Sequence, residues 1–342
     1  METVNLKMLA RVLNLSISTV SKALRDSYDI SVETKERVLA VAKELNYQPN
    51  LYASSLRKHK SKTIAVVIPE IANPYFGLVI NGIESIAQEK GYHVTIYLSH
   101  EDYQKELQFT RHLLSGRVDG ALISVASSTI DYAHFHELIE KDLPLVFFDR
   151  ICEECKSFMV TTDDQESSYT ATKHLIARGC KKIAHLAISG NLSIGKKRLA
   201  GYRQAIEEAG LANEQDLILE CSNDTDADRI KIRDLFIHHK PDGIFAAVER
   251  YAITSYEICR ELNLRIPEDV RVIGFSNLES ASLLKPSLST ITQPAYEIGK
   301  QAALILFSTI EKKGYGSKHE HVVIPSKLIP RASTEKFTDT IS

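Results

Sequence analysis

The sequence predicts an all-α headpiece followed by an α/β core of two lobes built on parallel sheets. Three observations predict it. Apolar residues in the first fifty positions recur with a 3.6-residue period. From Thr63 onward, short and nearly continuous apolar runs alternate with helical patterns, as strands covered on both faces do. That alternation passes through two successive series of similar build, in a chain of 342 residues that exceeds one ordinary core.

The headpiece begins with two short helices and a tight turn between Asn5 and Leu24. Leu6, Leu9, Ala10 and Leu13 form one apolar stripe at i, i+3, i+4 and i+7. Asn14 tolerates the left-handed backbone that a sharp turn needs. Ser16 stands where an N-cap belongs. In the second helix Val20, Ala23 and Leu24 share one side, and Ser18, Lys22 and Arg25 share the other, flanked by Ile17, Thr19 and Ser21. Hydroxyls and Lys bond phosphates or base acceptors, and Ile17 suits a thymine methyl, so this face fits a DNA major groove. Helix pairs of this kind also occur in bundles that touch no DNA. A third helix over 32–46 is capped by Ser31, and its Val38, Ala42 and Leu45 close a small core. Tyr47-Gln48-Pro49-Asn50 ends it, with Asn50 placed to cap a further short segment over 51–57 before the basic run Arg57-Lys58-His59-Lys60.

Charge favours the DNA reading. The net charge of −2 divides unevenly: residues 1–62 hold 11 Lys and Arg against 6 Asp and Glu, giving +5, and the rest hold 31 against 38, giving −7. A basic head on an acidic body is the electrostatic footprint of a nucleic-acid-binding module. METVNLK leads directly into an amphipathic helix rather than a signal peptide, and no apolar run reaches membrane-span length. A cytoplasmic protein, associated with the nucleoid through DNA, is expected, with no membrane partner.

In the core, strands are expected over 63–68, 93–98, 119–125, 144–149 and 158–162, with helices over 74–89, 104–114 and 134–140 between them. A second series places helices over 167–177, 196–209, 227–238 and 252–262, and strands over 182–188, 217–221, 243–248 and 270–275. The tail adds strands over 288–293 and 321–329 around a helix over 296–312.

Two stretches suggest other chemistry. Gly190 to Lys196 matches G-x-x-x-x-G-K after a strand and before a helix, but Lys197 stands where a Mg²⁺-binding Ser or Thr belongs, so nucleotide hydrolysis is not expected. A ligand cleft is, because strand C-termini in open α/β sheets face the crevice. Cys152 and Cys155 form the one C-x-x-C pair; His174 and Cys180 are poorly spaced to complete a zinc site, so a reduced pair in an exposed loop is expected. No nucleophile–base pair or dinucleotide fingerprint supports an enzyme, and no metal or cofactor is expected. Arg198, at a helix start beside that cleft, is the leading ligand-binding candidate, because a guanidinium fork grips hydroxyls or carboxylates in paired bonds.

The chain resembles the LacI/GalR (lactose-repressor) family of bacterial regulators. In the headpiece the resemblance rests on Ser16, Ser18-Thr19-Val20-Ser21, Leu24, Thr34, Arg37-Val38, Leu45, Tyr47, Pro49-Asn50, Ala53 and Leu56-Arg57. In the core it rests on Asn73-Pro74-Tyr75-Phe76, Asp149-Arg150, Arg198-Leu-Ala-Gly201-Tyr202, Val272-Ile-Gly274-Phe275, Gln293-Pro294 and Arg331-Ala-Ser333-Thr334. It implies a helix-turn-helix headpiece over 1–49 and a hinge helix over 50–62. A periplasmic-binding-protein-like core follows, with an N-lobe of 63–162 and 292–321, a C-lobe of 163–291 and 322–334, interlobe crossovers, and a polar tail over 335–342. It further implies a homodimeric repressor on a palindromic operator in double-stranded DNA, controlled by a small-molecule effector between the lobes. A periplasmic-type binding protein without a DNA role is the alternative, and the headpiece speaks against it. Ser16, Ile17, Ser18, Thr19, Ser21 and Lys22 would contact DNA with Asn50, Ala53, Leu56 and Arg57, Leu56 wedging into the minor groove. Asn73, Tyr75, Phe76, Asp149, Asp163, Arg198, Val248 and Ser276 would line the effector site.

Departures from the family pattern shape two expectations. Met8, Asn14 and Lys22 replace a usual Asp, Gly and Arg, and Lys22 lacks the bidentate fork for guanine. Val248-Glu249 and Ser276-Asn277 stand where the family commonly has Asn-Asp and Asp. With Arg198, Tyr75 and Phe76 retained, a sugar acid, sugar phosphate or other ring-bearing ligand is expected rather than a plain hexose. ASTEKFTDTIS after Arg331 carries no leucine heptads, so a dimer rather than a tetramer is expected.

Overall fold

The computed structural model describes residues 4–47, 61–211, 215–222, 224–312 and 320–335. They form two units, divided after residue 60.

Among its described residues the first unit holds three helices, α1 Leu6–Leu13, α2 Ile17–Ala23 and α3 Val32–Glu44. Asn5 caps α1 by accepting from Met8 N, and Asn14 ends it at φ 53°, the left-handed residue that lets α2 turn away. Ser16 and Ser31 cap α2 and α3 through their hydroxyls. Leu9, Ala10, Leu13, Val20, Ala23, Val38 and Ala42 are buried together, so each helix contributes its apolar stripe to one small core.

The second unit contains two six-stranded sheets. The first lobe runs β1 Thr63–Ile68, α4 Pro74–Glu89, β2 His93–Leu98, α5 Tyr103–His112, β3 Ala121–Ile123, α6 Ala133–Glu140, β4 Leu145–Phe148 and β5 Phe158–Thr162. The chain then crosses to α7 Asp164–Ala177, β6 Ile183–Ala187, α8 Ser193–Glu208, β7 Ile218–Glu220, α9 Thr225–His239, β8 Gly243–Ala246, α10 Glu249–Glu261, β9 Arg271–Phe275 and β10 Ser289–Thr292. It returns for α11 Ala295–Lys312 and β11 His321–Ile324, and crosses a third time into β12 Lys327–Ile329.

Strand order is β11-β5-β4-β3-β1-β2 in one sheet and β12-β10-β9-β8-β6-β7 in the other. Every pairing is parallel except β10 with β12. The apolar runs read from the sequence are buried because helices cover both faces: α4 and α11 pack on one side of the first sheet and α6 on the other. No described helix is long and apolar enough to cross a membrane.

The stretch 321–329 differs from expectation. It was expected as one strand, with the lobe boundary at 321; it forms two strands in different sheets, β11 parallel to β5 and β12 antiparallel to β10. Ser326 sits between them. Its amide donates to Asp163 Oδ1 at 2.8 Å, which holds the turn at Pro325-Ser326 between the two apolar runs.

The cysteine pair differs too. Cys152 and Cys155 are not in an exposed loop but 0% and 3% exposed, packed with Ile151 and Phe147 and joined as a disulfide. The polar Glu153 and Glu154 between them make the loop look solvated in sequence, while the cysteines on either side turn inward.

Candidate functional site

In the headpiece, α2 presents the residues read from the sequence. Ser16 Oγ accepts from Thr19 N at 3.0 Å and lies 2.8 Å from Thr19 Oγ1, so the cap fixes the first turn. Val20 and Ala23 are buried beneath it; Ile17 is 43% exposed and Ser18 is exposed, while Thr19, Ser21 and Lys22 are half-buried. Arg25 Nε donates to Ser21 O at 2.9 Å. Lys22 does not project as a free cation: its Nζ pairs with Asp29. That pair is exposed, and such pairs contribute about 0–1 kcal/mol, so Lys22 can exchange it for a phosphate or base at little cost. Asn50, Ala53, Leu56 and Arg57 lie outside the described residues, as does most of the expected hinge.

A cleft lies between the lobes of the second unit, walled by residues that follow the C-terminal ends of strands, as open parallel sheets dictate. Asn73, Tyr75, Phe76, Asp149, Arg198, Val248 and Ser276 all line it. Asp163, also expected there, does not. Its Oδ1 accepts from Ser326 N and Ser167 Oγ, which makes it a tie between two crossovers.

Local structure explains how these side chains reach the cleft. Asn73 caps α4 by accepting from Tyr75 N at 3.0 Å, with Pro74 opening the helix. This holds Tyr75 and Phe76 edge-to-face, ring centroids 5.3 Å apart. Asp149 follows β4 at φ 59° and is buried. The left-handed residue turns the chain so that Asp149 and Arg150 both face inward. Arg150 is 4% exposed; its Nη1 donates to both Glu101 oxygens at 2.7 and 2.8 Å, and its Nε lies 3.9 Å from Asp149 Oδ2, a buried ion pair rather than a hydrogen bond.

Arg198 is 2% exposed and fully engaged inside the protein. Its Nε and Nη2 meet Asp164 Oδ1, each at 2.7 Å, and its Nη1 donates to Ala247 O at 2.6 Å. Its guanidinium carbon lies 3.7 Å from the centroid of the Phe275 ring, a cation–π contact. Arg198 was expected to grip a ligand with its fork. Instead the fork is met by a carboxylate the sequence reading passed over, and what faces the cleft is a neutralised, stacked pair.

The titrations follow from burial. Asp164 is pushed up to about 6 by desolvation, which outweighs the Arg198 charge beside it. Burial also raises Asp149, against the pull of Arg150 and Arg198. Glu249 is raised by burial, against the hydrogen bond that Ser276 Oγ donates to its Oε2 at 2.8 Å. Two carboxyl groups, Asp149 and Glu249, thus line the cleft with two guanidiniums, each already paired to a carboxylate, Arg198 to Asp164 behind the wall and Arg150 to Glu101. The Arg198 fork, on which the expectation of an anionic ligand rested, is bonded within the protein. Glu249 and Asn277, next to the substituted Val248 and Ser276, also return polar groups to the positions judged empty.

Buried polar atoms define what the cleft still offers. Tyr75 Oη, Arg150 Nε, Asn277 Oδ1 and Gln293 Nε2 have no hydrogen-bond partner. Tyr75 and Gln293 are close enough to Asp149 for their dipoles to stabilise its charge, though neither meets it with hydrogen-bond geometry. Such orphans are rare in folded proteins and collect where a ligand completes the set. Ile194, Glu249, Phe275, Asn277 and Gln293 were missed as cleft residues, and so was Asp164, the partner of Arg198 behind the wall. Phe275 and Gln293 stood inside motifs already singled out, and Glu249 and Asn277 each adjoined a residue that was named.

The Gly190–Lys197 run builds no phosphate cradle. A Cβ on Gly195 would stand 2.3 Å from Ser189 O, so that glycine lets α8 approach the preceding loop. Lys197 pairs with Glu153 at 3.0 Å and Lys196 is exposed.

Comparison with known proteins assigns the family. Residues 5–50 match the model described as bacterial regulatory proteins, lacI family, and residues 172–334 match a periplasmic binding protein-like domain. The chain is 31% identical to the ribose operon repressor of Halalkalibacterium halodurans over 96% of each protein. It is also 31% identical to the transcriptional repressor PurR of Vibrio atlanticus, over 91% of this chain and 93% of that one. A crystal structure of the lac repressor dimer bound to operator and the anti-inducer ONPF superposes with a TM-score of 0.84, covering 97% of this chain and 99% of that one. At 21% identity that likeness speaks for the fold alone. Headpiece, two-lobed core and full-length relatives agree: the chain belongs to the LacI family of DNA-binding transcriptional repressors.

Proposed function

We propose that the protein represses transcription as a homodimer on a palindromic operator, and that a small effector in the interlobe cleft controls it. Each α2 lies in a major groove, with Ser16, Ile17, Ser18, Thr19, Ser21 and Lys22 toward the DNA. Asn50, Ala53, Leu56 and Arg57 extend the contact into the minor groove. Two copies of one headpiece read two copies of one half-site, so the operator's symmetry mirrors the protein's.

One observation carries the effector reading: the four unpartnered buried polar atoms around the cleft. Tyr75 Oη, Arg150 Nε and Gln293 Nε2 are donors, Asn277 Oδ1 is an acceptor, and the Asp149 carboxylate lies beside them. Phe76 and Phe275 supply apolar faces. Donors and acceptors in near balance, with cations already neutralised, suit a neutral ring bearing hydroxyls or ring nitrogens better than a sugar acid or phosphate.

The test is a thermal-shift screen of neutral and acidic sugars and of heterocycles on the full-length protein. A ligand at one hundred times its dissociation constant stabilises by about 2.7 kcal/mol. Asp149→Ala is expected to abolish that shift while leaving operator binding intact in fluorescence anisotropy. A ligand set confined to phosphates or acids, insensitive to Asp149→Ala, would overturn the assignment of the effector. A monomer in light scattering with operator present would overturn the dimer.

A further inference from the structure

The loop between β4 and β5 has features that effector binding does not use. Nine residues, 149–157, leave the first sheet, reach the opposite lobe and return. At its start Asp149 and Arg150 line the cleft. Ile151 N then donates across the lobe boundary to Ser193 Oγ at 3.1 Å, and Glu153 pairs with Lys197 at 3.0 Å. Both partners lie in the first turns of α8, the helix that carries Arg198. Cys152 and Cys155 alternate with these clasping residues and are joined to each other. The turn they close also carries Cys155 N to Cys152 O at 3.4 Å and Ser157 N to Cys155 O at 2.9 Å.

The other three cysteines are of a different kind. Cys180, Cys221 and Cys259 are buried free thiols in the cores of the second lobe. Burial pushes each of them up to about 12, and none is joined to another cysteine. A repressor works beside DNA, where thiols are generally kept reduced, and a disulfide in that setting is usually transient and redox-sensing rather than structural.

We infer that Cys152 and Cys155 form a reversible disulfide switch that sets how firmly the first lobe clasps α8 across the cleft. Reduction is thiol–disulfide exchange. A thiolate of a dithiol or of glutathione attacks Cys155 Sγ, forms a mixed disulfide and expels Cys152 as a thiolate, which takes up a proton. A second thiol then attacks the mixed disulfide, leaves as the oxidised reductant and releases Cys155 as a thiol. Two thiols on the protein are gained and two on the reductant are lost; oxidised glutathione drives the same exchange backwards. In the oxidised state the short ring holds Ile151 and Glu153 against Ser193 and Lys197. In the reduced state the turn opens, the clasp weakens, and both α8 and the adjoining Arg150 gain freedom. Redox state and effector then act on the same lobe contact.

The test needs no effector or operator. Full-length protein is equilibrated in glutathione buffers from fully reduced to fully oxidised, then denatured and alkylated for mass spectrometry. Three alkylated cysteines are expected at the oxidised end and five at the reduced end. Native hydrogen–deuterium exchange of the two states should differ several-fold in two segments together, 147–157 and 190–200. The double variant Cys152→Ser/Cys155→Ser should exchange like the reduced protein in both buffers. Five alkylated cysteines throughout would show that no disulfide forms, and three throughout would show a permanent one; either overturns the switch. Oxidation that leaves 190–200 unchanged would overturn the clasp.

Discussion

Arg198 and Asp164 show how a single pair sets the character of the cleft. Both are 2% exposed, and neither would be tolerated there alone. Removing one partner of a buried pair leaves an uncompensated charge, at a cost of about 3–5 kcal/mol. Arg198→Ala is therefore expected to destabilise in urea unfolding by about that amount, whereas Arg265→Ala, an exposed i,i+4 partner of Asp269, should cost at most about 1 kcal/mol. Asp164 adds a pH signature. Its folded-state value of about 6 lies above the ordinary 3.8, so the folded protein holds that proton more tightly than the unfolded chain. The resulting stability is complete below pH 3.8 and is lost as pH rises through about 6. Compared with Asp164→Asn, which cannot titrate, the wild type should gain stability between about pH 7 and pH 5 in thermal melts; a constant difference would contradict the assignment. Arg198 was legible in the sequence but its partner was not. Asp163 was named because it ends a strand at the crossover, and the neighbouring Asp164 was not, although one residue along a helix turns a side chain by about 100°. At Lys22 the exposed pair with Asp29 implies another outcome. Asp29→Ala should strengthen binding to random DNA and steepen its salt dependence, since Lys22 then meets phosphate with no competitor.

Among the elements, α4 and α11 cross where two glycines face each other's backbone. A Cβ on Gly299 would lie 2.0 Å from Val79 O, and one on Gly82 would lie 2.1 Å from Tyr296 O. Backbone cannot yield as a flexible side chain would, so Gly299→Ala should cost at least the about 1–3 kcal/mol typical of overpacking. Gly77, in the same α4 with nothing within 4 Å of its would-be Cβ, is the control. Gly77→Ala should be neutral or stabilise by up to about 1 kcal/mol, from helix propensity and unfolded-state entropy. Denaturant melts of the two variants separate close packing from propensity. Elements of this kind were readable because burial on both faces writes a run of Val, Ile and Leu into each parallel strand, as in Thr63–Ile68. The break between β11 and β12 was passed over, although Pro325-Ser326-Lys327 interrupts the apolar residues Val322, Val323, Ile324, Leu328 and Ile329. The interruption is local, but the change of sheet is not: Ser326 N donates to Asp163, a residue 163 positions earlier, and no local window contains that bond.

At the scale of the two-lobed unit, the three crossovers decide how one lobe can move against the other. The chain passes between sheets at 162–164, 292–295 and 324–327. Any change of lobe angle must be absorbed by the backbone dihedrals of those few residues. Two of the three are bound together at one carboxylate. Asp163 Oδ1 takes Ser326 N at 2.8 Å and Ser167 Oγ at 2.9 Å, while Thr162 Oγ1 lies 2.5 Å from Ser326 Oγ and donates to Ile324 O at 2.9 Å. The remaining crossover is held separately, where Asn277 Nδ2 donates to Gln293 O at 2.7 Å. Asp163 is thus a hinge tie where the sequence suggested a ligand contact, and the two roles lead to different outcomes. A ligand contact, once removed, weakens effector binding and leaves the unliganded protein unchanged. A hinge tie, once removed, strands a half-buried amide and costs up to about 1–3 kcal/mol before any ligand is present. Asp163→Ala is therefore expected to lower the stability of the unliganded protein by that amount. It should also speed hydrogen exchange at Ser326, with no change in the amides of β1 and β3 at the centre of the first sheet. Unchanged stability and unchanged exchange at Ser326 would return Asp163 to the cleft and leave the paired crossovers without their tie.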